Sequence, residues 1–343
     1  MKKLVLVLLG GLLLASCSEN VQVNKAKEVD NNIKTQEVVA ENQSYVDDID
    51  KAIAEDSLNV NLYIQRATMN LANEQVSSAI KDINTALSID RKNIDALLVL
   101  ADIYYALGDE DNILLTLNKA CEYSPLDSRP IVKLSELSFL QGNAQLANAY
   151  IDKALELDRF NPRAYFMRGM IALSANDTVV ALKNFMTARV QKDDFIEPKV
   201  QIAHIYAAQG DTIAKAFFEE AIASSPEDYT LYYDYAMYLQ DNGFPETAIT
   251  YYDKLLEVMP NNPNFIYNKG YVYLVYIGDN EKALDCFNTV LELDPTSINA
   301  LFNKGRTYEQ MGDYINAKKI YHQILRNYPD YQLAVDAVNR IGE

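Results

Sequence analysis

Two stretches near the end of the chain, NFIYNKGYVYLVYIGDNEKALDCFNTVLELDP (264–295) and NALFNKGRTYEQMGDYINAKKIYHQILRNYP (299–329), carry one pattern. Both read apolar run, Lys-Gly, Tyr, Gly-Asp, Ala, aromatic, Leu, Pro, in that order. Carried back through the chain, the frame recurs with a period near 34 and gives eight copies: 60–93, 94–127, 128–161, 162–195, 196–228, 229–262, 263–297 and 298–331. The fifth copy is one residue short and the seventh one residue long, around LVYIGD. Such an array has no central core. Each copy buries its apolar face only against its neighbours.

Three positions of the frame are diagnostic. Position 8 is small throughout: Ala67, Ala101, Ser135, Gly169, Ala203, Ala236, Gly270 and Gly305. Position 20 is Ala79, Ile113, Ala147, Ala181, Ala214, Ala248, Ala283 and Ala317, with Ile113 the departure. Position 4 holds Tyr63, Leu97, Ile131, Tyr165, Lys199, Tyr232, Ile266 and Leu301. This pattern resembles the tetratricopeptide (TPR) repeat family, whose unit is a helix–turn–helix of this length, although that family's Trp at position 4 is absent and Lys199 fits worst. The resemblance implies an all-α fold: a right-handed superhelix of about eight helix pairs. The breakers agree with it. All ten prolines fall between copies or in a first turn, where proline is tolerated, and Gly108, Gly142, Gly210, Gly243, Gly278 and Gly312 fall at the turn inside a copy. An orphan cap helix is expected within 44–59 and a second, amphipathic one over 332–343.

The first residues are of another kind. Lys2 and Lys3 precede an apolar run, Leu4–Leu14, too short to cross about 30 Å of hydrocarbon as a helix. Leu14-Ala15-Ser16-Cys17 then places small residues before a cysteine, which is similar to the lipobox of bacterial lipoproteins. That resemblance implies a signal peptide over 1–16, removed before Cys17, and acyl chains on Cys17 that hold the protein in the bacterial envelope. In that family an Asp after the cysteine marks inner-membrane retention, so the resemblance, with Ser18 there, implies the outer membrane. Residues 17–43 mix charges without an apolar stripe and are expected to form a flexible tether with a reach of roughly 28 Å.

The composition narrows the partners. Lys and Arg total 31 against 48 acidic residues, a net charge of −17. Nucleic acid is therefore not an expected partner, nor is an anionic membrane surface without a covalent anchor. Three cysteines, Cys17, Cys121 and Cys286, are too few for a disulfide framework. There is no phosphate loop, paired-His metal motif or nucleophile elbow. No cofactor or metal, no small-molecule substrate and no catalytic residue is expected, and the chain reads as a non-enzyme. His204 falls at position 9 and His322 on a second helix, neither beside triad partners. One enzymatic alternative is a glycan hydrolase using Asp102 and Glu136, acids one copy apart.

The resemblance implies that positions 5, 9 and 12 of each first helix line a concave groove. Position 5 is apolar or aromatic in every copy: Ile64, Leu98, Val132, Phe166, Val200, Tyr233, Tyr267 and Phe302. Tyr105 and Phe139 add to it at position 12, with Met170, His204, Met237, Tyr271 and Arg306 at position 9. The strongest expected patch joins Phe166, Met170, Tyr233, Met237, Tyr267, Tyr271 and Phe302, a composition typical of binding hot spots. The Lys and Asn pair with which some family members clamp a C-terminal carboxylate is missing; Asn268 and Asn303 at position 6 match only a fragment of it. The expected function is a protein-interaction scaffold that binds envelope proteins or peptides in its groove. A periplasmic chaperone for unfolded clients is the alternative.

Overall fold

The computed structural model describes Val46 and residues 48–342; the signal peptide, Cys17 and tether expected from the sequence lie outside the described residues. Among those residues every regular element is helical. A first helix, α1, spans 48–55. Helices then come in consecutive pairs: α2 Val60–Ala72 and α3 Val76–Ile89, α4 Ile94–Leu107 and α5 Glu110–Tyr123, α6 Arg129–Leu140 and α7 Ala144–Leu157, α8 Pro162–Ser174 and α9 Thr178–Gln191. The series continues with α10 Ile196–Ala208 and α11 Ile213–Ser224, α12 Tyr229–Asp241 and α13 Pro245–Val258, α14 Pro263–Val272 and α15 Asn280–Leu293, α16 Ile298–Gln310 and α17 Tyr314–Asn327, and closes on α18 Gln332–Ile341. The described chain forms two compact units, the first ending at Ile205 and the second starting at Tyr206.

Local chemistry sets the helix ends. Gly108 (φ 69°), Gly142 (φ 77°) and Gly312 (φ 76°) take the left-handed conformation that stops a first helix. The next residue starts the second: Asp109, Asn143 and Asp313 each accept a backbone N–H of the following turn, from Asn112, Leu146 and Asn316. Each such cap is worth about 1 kcal/mol. The extra residue of the seventh copy is absorbed as a π-helical turn, Tyr273–Ile277, between α14 and the left-handed Gly278. A one-residue insertion in a helix has few other outlets.

Position 4 shows how the chain manages without tryptophan. The hydroxyls of Tyr63, Tyr165 and Tyr232 donate to carbonyls six residues back, of Ser57, Arg159 and Pro226, at 3.1, 3.1 and 3.0 Å. Each tyrosine thus pins the loop that enters its own helix. Lys199, the poorest match, does the same by charge. Its stem is buried, and Nζ lies 3.7 Å from the carboxylate of Asp193, again six residues back.

A second recurring contact joins four of the helix pairs to the helix before them, at a spacing of sixteen. Arg66 meets Asp50 at 2.5 Å, Arg168 meets Asp152, Tyr235 donates to Glu219 at 2.9 Å and Lys269 meets Asp253 at 2.5 Å. Because Asp50 lies on α1, α1 occupies the place of a second helix in a half-copy. In the three ion pairs the acidic partner faces solvent, and each contributes at most about 1 kcal/mol. They set register more than stability.

The small residues of position 8 have a steric cause. A Cβ on Gly169 would stand 2.5 Å from the Phe185 ring, and one on Gly305 equally close to the Tyr321 ring. Both rings are fully buried. Ser135 keeps its hydroxyl at this site because it donates to the Ala147 carbonyl at 2.9 Å. Small apolar clusters lie within and between neighbouring helix pairs, and α18 closes the last of them with Ala334 and Ala337.

Candidate functional site

In the first unit, the first helices do not present the apolar strip expected of them. Leu98, Val132, Phe166 and Met170 are buried, at 8, 2, 0 and 6% exposure. Phe166 shows why. Its ring packs 5.5 Å from Phe185 of its own pair and 5.3 Å from Phe195 of the loop before α10. The Arg163 guanidinium covers both Phe166 and Phe195, at 5.6 and 5.8 Å. Position 5 here is mortar between copies. Phe166 and Met170 are therefore removed from the expected binding patch; Tyr105, Phe139 and His204 are half-buried.

What this unit offers instead is a cavity of about 520 Å³ among α4, α5, α6 and α8. Its wall is mostly apolar: Ile113, Leu117, Leu137, Phe139, Leu140, Met167, Met170 and Leu173 among others. Ile113, the one departure from alanine at position 20, is part of that wall. Four charges complete it, and they are paired: Lys133 with Asp102, and Arg163 with Glu136 at 2.7 Å. Burial works against the Arg163 charge, but Glu136 and then Glu197 outweigh it and its pKa is raised. Asp102 and Glu136, the acids of the glycan-hydrolase alternative, each hold a basic neighbour. The Tyr105 hydroxyl is buried without a hydrogen-bond partner. Burial first, and then the charge of Glu136, push its pKa up.

The second unit differs. Tyr233, Met237, Tyr267, Tyr271, Phe302 and Arg306 are all half-buried, each keeping a face in solvent. Two equivalent hydrogen bonds order this wall: the Asn268 amide donates to the Tyr233 hydroxyl at 3.0 Å, and the Asn303 amide to the Tyr267 hydroxyl at 2.6 Å. Position 6 of one copy thus holds position 5 of the copy before. Because each tyrosine oxygen accepts, its own proton remains available to a ligand. Tyr267 is pushed up to about 12, by burial first and by the neighbouring Tyr271 second. Arg306 donates to Asn303 Oδ1 at 3.0 Å and makes no ion pair among the described residues. The sequence placed Asn268 and Asn303 correctly but gave them no task; the tyrosine one copy back was the missing signal.

The remaining candidates are quiet. His322 is exposed on α17. Cys121 and Cys286 are free thiols, and burial raises the pKa of both, Cys286 to about 11. Neither has thiolate character at neutral pH. Among the described residues no group of His, Cys, Asp and Glu could hold a metal ion, and no helix is long and apolar enough to cross a membrane.

Three models of the tetratricopeptide repeat match the sequence, over 94–125, 274–312 and 299–331. Over these segments the chain is similar to the tetratricopeptide repeat. The matched segments coincide with α4 and α5 and with the stretch from the π-helical turn through α17. A TPR repeat-containing protein of Methanocaldococcus jannaschii is 22% identical over 261 residues, covering 72% of this chain. The chain spans 45% of that relative's length. Among solved structures, the TPR fold is shared with the APC/C hetero-tetramer Cut9–Hcn1, at a TM-score of 0.53 and 16% identity, over 90% of this chain and 60% of that one. The type IV pilus biogenesis factor PilW is a looser likeness, at a TM-score of 0.47 and 18% identity over 61% of this chain and 97% of its own.

Proposed function

We propose that the chain is a non-enzymatic protein-interaction scaffold whose tetratricopeptide repeats bind an apolar segment of a partner protein along α12, α14 and α16. The observation that carries this reading is the half-exposed row of Tyr233, Met237, Tyr267, Tyr271 and Phe302, ordered by Asn268 and Asn303. Side chains held in place before binding lose little rotamer entropy on association, and Tyr, Met and Arg are the types enriched where binding energy concentrates. Arg306 ends the row with a guanidinium not engaged in an ion pair, available to a carboxylate of the partner.

The site of action we propose is the bacterial envelope, with Cys17 as the acylated anchor; the tetrad Leu14-Ala15-Ser16-Cys17 supports it. Cys17→Ala should move the protein from the membrane fraction to the soluble fraction. Retention in the membrane would sink the anchoring reading. For the scaffold, affinity capture from solubilised envelopes should recover a recurrent partner with wild type and lose it with Tyr271→Ala combined with Arg306→Gln. An unchanged partner set contradicts the assignment of this wall. Weak recovery of many unfolded clients, indifferent to both substitutions, would favour a holding chaperone instead.

A further inference from the structure

The cavity of the first unit asks for an occupant of its own. Its volume of about 520 Å³ falls inside the range of roughly 300–1,000 Å³ typical of small-molecule sites, and exceeds what one side chain of a docked segment fills. Its charged rim is neutral, because Asp102 is matched by Lys133 and Glu136 by Arg163. A charged ligand would have to break one of these pairs. At the same time the Tyr105 hydroxyl is buried with no hydrogen-bond partner, an arrangement that costs about 1–3 kcal/mol unless something satisfies it. A phenol hydroxyl can donate or accept, and a ligand oxygen that reached it would accept its unused proton.

We propose that this cavity binds a small, neutral, mainly apolar molecule carrying one acceptor oxygen, a ketone, ester or alcohol, placed against Tyr105. Apolar walls supply the affinity and Tyr105 fixes the orientation. Ile113, where every other copy has alanine, contributes to a lining that belongs to this part of the array alone. The site is independent of the partner wall on α12, α14 and α16 and stands or falls without it.

The test uses the full chain and the neutral dye 6-propionyl-2-(dimethylamino)naphthalene, whose emission shifts to the blue in apolar surroundings and whose carbonyl is an acceptor. Titration should show one saturable site per chain, with the dye displaced by 2-undecanone. Leu140→Trp, which fills the cavity from its wall, should abolish that site. Ser174→Trp, at an exposed lining position, should do the same without loading the core. Tyr105→Phe should weaken the dye about fivefold, the worth of one hydrogen bond, while leaving the affinity for naphthalene unchanged. Circular dichroism identical to wild type qualifies each variant. Absence of saturable binding, or binding that survives both tryptophan substitutions, overturns the proposal; equal weakening of dye and naphthalene by Tyr105→Phe overturns the role of the hydroxyl.

Discussion

Phe166→Ala is expected to destabilise the first unit by about 3–5 kcal/mol, the usual cost of truncating a fully buried phenylalanine. The ring has no solvent exposure and sits between Phe185 and Phe195 under Arg163. Its removal leaves a void that neither neighbour can close, since Phe185 is itself seated over Gly169. The loss also uncovers the guanidinium that the two rings support. Repeat arrays unfold in parts, so the measurement should be local: hydrogen exchange of α8 and α9 in wild type and variant. Tyr271→Ala, half-exposed on the partner wall, should change the exchange of its own helix by less than about 1 kcal/mol. Comparable small effects for both would mean that Phe166 is a surface residue after all.

Raising the pH should unfold the second unit well before the first. Tyr235, Tyr252 and Tyr321 are fully buried, and burial is the leading cause that lifts each above its ordinary value; Glu219 adds for Tyr235 and Glu309 for Tyr321. A tyrosine whose folded pKa is raised supports the fold fully below its unfolded value of about 10 and loses that support as the pH climbs towards the folded value. Each contributes a slope of about 1.4 kcal/mol per pH unit, so the three together remove about 4 kcal/mol per unit above pH ~10. In the first unit Tyr105 is the one tyrosine with a raised value among the described residues. Helix loss, followed by circular dichroism and hydrogen exchange, should therefore begin in 229–327 and coincide with a cooperative rise in tyrosinate absorbance. Smooth titration near pH 10 with the helices intact would show that these hydroxyls are not held as described.

The repeat frame made the fold legible, because proline, glycine and small residues are sorted by backbone and steric demands that do not depend on the partner. The one-residue insertion around LVYIGD even located the π-helical turn. Position 5 was less legible, and for a physical reason. Phe166 and Phe302 are the same residue at the same place in the frame, yet one is sealed and the other half-open. Both rings are flanked alike, Phe166 by Phe185 and Phe195, Phe302 by Tyr321 and Tyr331; what Phe166 has in addition is the Arg163 guanidinium, from a helix start that the frame does not rank. The tyrosines of position 4 looked like defects beside the family's tryptophan, until their bonds to the preceding loop carbonyls gave them a task. A cavity is a property of what several side chains fail to fill, so no single position announces it. Ile113 was the one visible irregularity at that place.

The central claim is that α12, α14 and α16 form the partner-binding wall. It is tested most directly by the affinity of the captured partner for three purified forms: wild type, the Tyr271→Ala/Arg306→Gln variant, and Ile315→Glu, a control at an exposed residue on the second helix of the last pair. The account predicts at least a tenfold loss for the double variant, equivalent to about 1.4 kcal/mol, and wild-type affinity for Ile315→Glu. Full affinity in the double variant, or a loss confined to Ile315→Glu, would place the binding surface elsewhere and contradict it.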